Sequence, residues 1–362
     1  MDIYVYFNPI SRLILQFLLL LILASSCLNT SSTVESCMEE ERQALLNFKQ
    51  DLIDRSGRLS SWVGHQCCEW SGISCNNHTG RIVRLDLRNP YPYPPFSEFY
   101  DYSWNYTKFN ESCLGGKLHP SLLGLKHLSY LDLSQNCFHG IHIPNFIGDL
   151  TSLRYLNLSY VSRYGSFVGE IPPSLGNLSN LNYLDLSDAD YDYISDVYSK
   201  SLNWLSHLSS LKYLNLGGAN LNNTAVSWLH AVNMLPSLLE LRLSFCQIDG
   251  NQVPLSLPTI NFTSLLVLDV SYNDINSSFP KWLFNLTSLT ELDLGGNPFL
   301  RPSLEEFVRL KALEHLDLWG IGLKGQLLPF GNLCKLKSLR LADNEFDGGI
   351  EEFLSGFSNC FF

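Results

Sequence analysis

The chain copies itself. The stretch "YLDLSQN" from Tyr130 returns as "YLNLSYV" from Tyr155, "YLDLSDA" from Tyr183 and "YLNLGGA" from Tyr213. Aligned on L-x-x-L-x-L, nine segments appear, with central leucines Leu131, Leu156, Leu184, Leu214, Leu241, Leu268, Leu292, Leu316 and Leu339. An earlier segment, "RIVRLDL" around Leu85, opens the series. Successive central leucines lie between 23 (Leu316 to Leu339) and 30 (Leu184 to Leu214) residues apart. A unit that short cannot bury its own leucines, whereas stacked copies share one elongated interior.

The wording L-x-x-L-x-L-x-x-N/C-x-L at such a period defines a leucine-rich repeat. The expected fold is α/β: a leucine-rich-repeat solenoid, a curved right-handed superhelix with a parallel β-sheet on its concave face and a helical, cysteine-bearing cap. In "LSYLDLSQN", Leu128, Leu131 and Leu133 are expected to point inward and Tyr130, Asp132 and Ser134 outward, following the two-residue period of a strand. Asn136 falls where the chain turns, and its amide can satisfy backbone groups of the next coil. Asn273, Asn297 and Asn344 fill the same slot with Cys246 as substitute, while Val161, Ala189 and Ile321 interrupt it. A second cue, G-x-I-P or a variant, follows at Gly169, Pro280, Gly325 and Gly348, where glycine turns the chain and proline stiffens it. Trp204, Trp228 and Trp282 recur on the return side, where they read as convex-side core.

Residues 1–27 read as a signal peptide: Arg12, the apolar run from Leu13 to Ala24, then "SSC". An uncleaved amino-terminal anchor is the competing reading, weakened by Asn8, Pro9 and Arg12. The reading places the chain in the secretory pathway, extracellular or at the cell surface, with no membrane anchor apart from that signal. Residues 28–80 read as the cap, 81–88 as a capping strand, 89–112 as an aromatic insertion, 113–350 as about nine repeats and 351–362 as an incomplete one. Cys37, Cys67, Cys68 and Cys75 cluster in the cap, and an oxidising compartment makes two disulfides the expectation over a metal site; their pairing is open on sequence alone. N-x-S/T sequons at Asn29, Asn77, Asn105, Asn110, Asn157, Asn177, Asn222, Asn261, Asn276 and Asn285 agree with secretion. A formal net charge of -11 argues against nucleic acid and anionic membrane surfaces as partners.

The cap "CMEEERQALLNFKQDLIDRSGRLSSWVGHQCCEWSGISC", the G-x-I-P register and phrases such as "NFTSLLVLDVSYNDINSSFPKWLFNLTSL" resemble the ectodomains of plant leucine-rich-repeat receptor-like proteins. Among them, those similar to the receptor for a fungal xylanase elicitor share the most wording. The resemblance implies pairing of Cys37 with Cys67 and Cys68 with Cys75. It also implies an extracellular peptide, protein or glycan elicitor as ligand, a role in plant defence at the plasma membrane, and a receptor kinase as signalling co-receptor. Such proteins continue through further repeats to a membrane helix, whereas this sequence ends at "GFSNCFF"; the expectation is a truncated ectodomain whose Phe353, Leu354, Phe357, Phe361 and Phe362 leave the last coil uncovered. A soluble inhibitor resembling polygalacturonase-inhibiting proteins is the alternative, or a nonfunctional fragment. In the cap, Ser36 and Glu39 are expected to form a capping box, with Leu45, Phe48 and Leu52 as the apolar face of the helix.

No G-x-S-x-G, H-E-x-x-H or phosphate-binding glycine loop is present, and neither an enzyme nor a cofactor is expected. His139 and His142 read as a solvated turn and no metal site is expected. Asp132, Asp185, Asp269, Asp293 and Asp317 form a column that invites an acid–base reading, but hydrogen bonding across strands explains it equally. The ligand-binding candidates are Tyr130, Tyr155, Tyr183 and Tyr213, which stack in register, and Arg242, Trp319 and Arg340 beyond them. The tyrosines suit a binding surface, yet a mutually packed ladder supporting the sheet is the favoured reading. A glycan on Asn157 would cover part of that column. The insertions "NPYPYPPFSEFYDYSWNYTKFNES" and "DADYDYISDVY" compete for the binding role, the second suggesting a partner patch with Lys or Arg.

Overall fold

The computed structural model describes residues 37–91, 106–160, 167–188, 196–222, 224, 228–253, 259–326, 333–347, 351, 353 and 360. The signal segment, Asn29, Ser36, Asn105, Val161, Ala189, Leu354, Phe357, Phe361, Phe362 and most of both insertions lie outside them.

The cap begins with an α-helix, Glu39–Gln50, that buries Ala44, Leu45 and Phe48. Met38 is the cap residue and contributes no side-chain bond, and Ser36 of the expected capping box lies outside the described residues. Glu39 accepts from Arg42 Nε at 2.8 Å. Glu41, read as a helix-dipole residue, turns inward, where its carboxylate accepts the Ile82 backbone N–H at 2.8 Å. It thereby satisfies a donor at the start of the first repeat strand. Leu52 belongs to a separate short strand, Leu52–Asp54, antiparallel to Leu114–Gly116. Disulfides join Cys37 to Cys67 and Cys68 to Cys75.

From the cap, an eleven-stranded sheet runs the length of the molecule. Ile73–Cys75 and Ile82–Asp86 form an antiparallel start, and all later strands are parallel. Register is strict: Leu85, Leu131, Leu156, Leu184, Leu214, Leu241, Leu268, Leu292, Leu316 and Leu339 lie opposite one another in turn. They share one core with Leu87, Leu133, Trp204, Trp228 and Trp282. Burying a leucine contributes about 1.5–3 kcal/mol, so the solenoid draws its stability from repetition.

Described return legs include short 3-10 turns, such as Pro173–Asn177 and Asn203–His207, and the α-helical turn Trp228–Val232. The turn asparagines close the coils. Asn273 Nδ2 donates to the Leu243 carbonyl at 2.8 Å while its Oδ1 accepts from the backbone N–H groups of Cys246 and Ile248. Cys246, in the same slot, donates to the Leu216 carbonyl at 3.2 Å. Ala219 and Ile321 fill that slot with buried apolar groups. The glycines of the second cue also start lateral strands: Gly169–Glu170 pairs with Val197–Tyr198, and Lys324–Gln326 with Glu345–Asp347. Two further disulfides tie Cys113 to Cys137 and Cys334 to Cys360. Phe353, expected to lie bare, is buried at 4% exposure against the core.

Asp132 and Ser134 do not face solvent; both are buried, Asp132 at 1% exposure. They lie on the concave side, as the strand period requires, but the tyrosine rings cover them.

Candidate functional site

Two columns line the concave face. The outer one reads Arg84, Tyr130, Tyr155, Tyr183, Tyr213, Glu240, Val267, Glu291, His315 and Ser338 along the paired strands. The inner one reads Asp86, Asp132, Asn157, Asp185, Asn215, Arg242, Asp269, Asp293, Asp317 and Arg340.

In the first half the columns lock together. The four tyrosine rings stack at centroid separations of 4.1, 4.2 and 4.1 Å. The Arg84 guanidinium lies 3.5 Å above the Tyr130 ring and closes that end of the stack. Tyr130 and Tyr155 donate to the Asp132 carboxylate at 3.2 and 3.3 Å, and Tyr183 and Tyr213 to Asp185, both at 3.4 Å. Asn157 and Asn215 alternate with the aspartates and donate to Tyr155 and Tyr213 at 3.4 and 3.5 Å. From Asp132 onward the alternation places an asparagine between successive aspartates. Burial, helped by the aspartates, raises the Tyr130 and Tyr183 phenols and pushes Tyr213 up to about 12. These hydroxyls spend their donated hydrogen bonds within the sheet.

At Glu240 the pattern stops. Three consecutive aspartates, Asp269, Asp293 and Asp317, follow on adjacent strands, with Arg242 at one end and Arg340 at the other. Arg242 pairs with Glu291 at 3.1 Å and Arg340 with Asp317 at 3.2 Å. Asp269 accepts the Ser271 hydroxyl at 2.6 Å, but Asp293 accepts only the Gly295 backbone N–H at 2.9 Å. Burial, with Asp269 and Asp317 adding repulsion, pushes Asp293 up to about 7. Burial also raises Asp269. A groove of about 330 Å³ opens here between Glu291, Asp293, His315, Asp317, Ser338 and Arg340.

An aromatic cluster lies next to Arg340, a residue of the groove. Phe245 stacks on Tyr272 at 4.5 Å, and Tyr272 meets Trp319 at 5.6 Å. The Arg340 guanidinium lies 5.4 Å from the Trp319 ring. Trp319, expected to stand exposed, is half-buried. Phe245 and Tyr272 both have left-handed backbones, φ 55° and 51°. Bulky residues seldom occupy that region, which costs of order 1–3 kcal/mol. Tyr272 and Phe245 were missed by the sequence reading. Their signal is an aromatic immediately before the turn Asn or Cys, where other repeats carry Gln135, Gly218, Gly296 or Asp343.

The remaining candidates scatter. Asn77, Asn177, Asn222, Asn261, Asn276 and Asn285 are exposed and Asn110 is half-buried, whereas Asn157 sits at 9% exposure beneath the tyrosines. His139 and His142 are exposed near a turn. The cap cysteines Cys37, Cys67 and Cys68 lie together but are disulfide-bonded.

A disulfide-closed cap followed by coils with a concave parallel sheet defines a leucine-rich-repeat ectodomain-type solenoid. A family model described as "Leucine rich repeat N-terminal domain" matches residues 38–76, and "Leucine rich repeat" models match 127–150 and 249–299. The chain belongs to the plant leucine-rich-repeat receptor-like proteins. It is 39% identical over 344 residues to receptor-like protein EIX2 of Solanum lycopersicum, covering 93% of this chain and 31% of the relative. Receptor-like protein EIX1 of the same plant is 37% identical over 292 residues, covering 78% of this chain and 26% of the relative. The chain therefore spans between a quarter and a third of the length of these relatives. The crystal structure of a plant ice-binding protein has the same fold, with a TM-score of 0.59, 23% identity, and coverage of 87% of this chain and 89% of that one.

Proposed function

We propose that this chain supplies an extracellular ligand-recognition surface in a receptor-like protein of plant defence, binding a peptide, protein or glycan elicitor without catalysis. Signalling would pass to a partner receptor kinase. The supporting observation is the change on the concave face at Glu240. Before it, tyrosine hydroxyls are satisfied within the sheet. After it, Asp293, His315 and Arg340 line an open groove, and Arg340 also lies over the ring of Trp319, which meets Tyr272. A half-buried Asp293 and an exposed His315 beside strained aromatics suit recognition, where rigid rings supply area at low entropic cost.

The test is a binding panel of purified secreted microbial wall-degrading enzymes, their peptide fragments and neutral oligosaccharides against the glycosylated full chain. One member should bind, keep its enzymatic activity, and bind at least tenfold more weakly to the Trp319→Ala protein. A bound enzyme that loses activity would instead establish an inhibitor. Absence of binding across the panel would overturn recognition by this chain.

A further inference from the structure

Arg58 of the cap spends its guanidinium on neutral oxygens. Nη1 donates to the Ser112 carbonyl and to Asn136 Oδ1, both at 2.8 Å. Nη2 donates to the Leu87 carbonyl at 2.7 Å and to that of Arg88. Asp54 fixes the backbone beneath, accepting the N–H groups of Arg58 and Leu59 at 3.0 and 2.7 Å. Leu87 and Arg88 stand where the chain enters the aromatic insertion, Ser112 at its last residue. One cation of the cap therefore gathers both ends of the insertion and the turn asparagine of the first coil. A guanidinium fits that task, because its donors are held in a fixed fork.

Two more ties close the same base. Asn89, buried at 2% exposure, donates Nδ2 to the Phe109 carbonyl at 3.1 Å and accepts the Tyr91 N–H at 3.0 Å. The disulfide from Cys113 to Cys137 pins the exit to the turn after Asn136. Between these ties lies a seven-residue α-helix, Tyr106–Ser112. An isolated helix is marginal in water below about 12–15 residues, so this one owes its order to docking. Its Phe109 is fully buried, with Cys113, Cys137 and Tyr160, in a cluster that stands apart from the leucine core among the described residues. Small units with their own contacts open separately from the structure that carries them. We propose that the base of the insertion is a latch: Arg58 and the Cys113–Cys137 disulfide hold the Tyr106–Ser112 helix against the first coils, and the helix detaches while later coils stay folded. The latch adjoins the concave face, since Arg88, whose carbonyl Arg58 holds, donates Nη2 to the Tyr130 hydroxyl at 3.2 Å. The cap thus has a second task besides covering the first coil.

Hydrogen exchange of the full glycosylated chain, read by mass spectrometry, tests the latch without any ligand. In Arg58→Met, residues 106–113 should exchange at least tenfold faster than in the parent, with residues 183–188 and 213–218 within twofold of it. Arg58→Lys should behave like Arg58→Met, because an ammonium keeps the charge but lacks the fork that reaches four acceptors. Cys113→Ala combined with Cys137→Ala should speed residues 106–113 and neither later segment. Unchanged exchange of residues 106–113 in Arg58→Met would overturn the proposal, and so would parental rates in Arg58→Lys. Loss of protection in all three segments together would also overturn it, since helix and coils would then open as one unit. If Arg58→Met is not secreted, the cysteine-pair variant carries the same comparison. Failure of both to fold would make the base inseparable from the solenoid and end the proposal.

Discussion

Tyr155 on one strand donates to Asp132 on the preceding strand at 3.3 Å, and Tyr130 reaches the same carboxylate oxygen at 3.2 Å. The shared acceptor explains why the tyrosine stack is a support. Two hydroxyls in low dielectric stabilise one buried carboxylate, and the carboxylate fixes both rings in register. Tyr155→Phe should therefore cost about 1 kcal/mol, and Asp132→Ala more, about 2–3 kcal/mol, because it strands both hydroxyls. Urea denaturation measures this. Neither change should alter the groove's ligand affinity beyond twofold if the protein stays folded; a binding loss matching that of Trp319→Ala would return the ladder to the binding surface.

Asn157 carries a sequon, yet its Nδ2 points at the Tyr155 hydroxyl from 3.4 Å and its Oδ1 accepts the Ser159 N–H at 2.9 Å. A sugar on that nitrogen would have to lift the tyrosine ladder. Secreted, folded protein should therefore be unmodified at Asn157, and Ser159→Ala should leave its intact mass lower by one oxygen atom alone. Glycopeptide mass spectrometry that finds Asn157 substantially occupied in monomeric protein would contradict the buried placement.

These two cases mark what the sequence discloses. Leucine spacing alone shows the strands, their register and the in-line tyrosines, because every coil repeats the same burial problem. Alternation puts Asp132 on the concave side but cannot say that neighbouring rings will cover it; burial there is a property of several coils together. The start of the cap helix shows the same limit: a local motif cannot say that Glu41 turns inward to the Ile82 N–H beside the Cys37–Cys67 disulfide. Cys113–Cys137 and Cys334–Cys360 each link positions close to one repeat apart, a pairing that becomes legible only once coil geometry is known. Phe245 and Tyr272 escaped notice because a left-handed backbone is a feature of the turn and not of residue type.

Asp293 makes stability depend on pH. Its carboxyl titrates at about 7 in the folded chain against an ordinary 3.8, so the native state holds a proton that the unfolded state has released. Stability consequently falls as pH rises from about 4 through 7, and the cost of the buried charge is carried in full above that. Asp269 and Asp185, also raised by burial, act in the same direction. Asp293→Asn should be more stable than the parent at pH 8 and should lose less between pH 5 and pH 8. Urea midpoints at those two values decide it: identical slopes for parent and variant would show that Asp293 is ionised throughout.

Gly296 is where the aromatic cluster next to Arg340 meets the backbone. Its φ is +68°, and a Cβ built there would stand 2.7 Å from Tyr272 Cδ1, 3.1 Å from Cε1 and 3.2 Å from Cγ. The ring cannot simply retreat, because Phe245 stacks on it and Trp319 adjoins it. The missing side chain is thus what lets Tyr272 and Trp319 meet across an intervening coil. Gly296→Ala should cost about 1–3 kcal/mol, combining the left-handed backbone penalty with displacement of the ring. It should also weaken groove binding by displacing the cluster without removing any side chain from it. Tyr272→Ala relieves the clash but not the backbone strain. The double variant should therefore lose less than the sum of the singles, with a coupling of about 0.5–3 kcal/mol for side chains in contact. Denaturant unfolding of the four proteins measures that coupling, and strict additivity would mean that the ring and the glycine do not meet in solution.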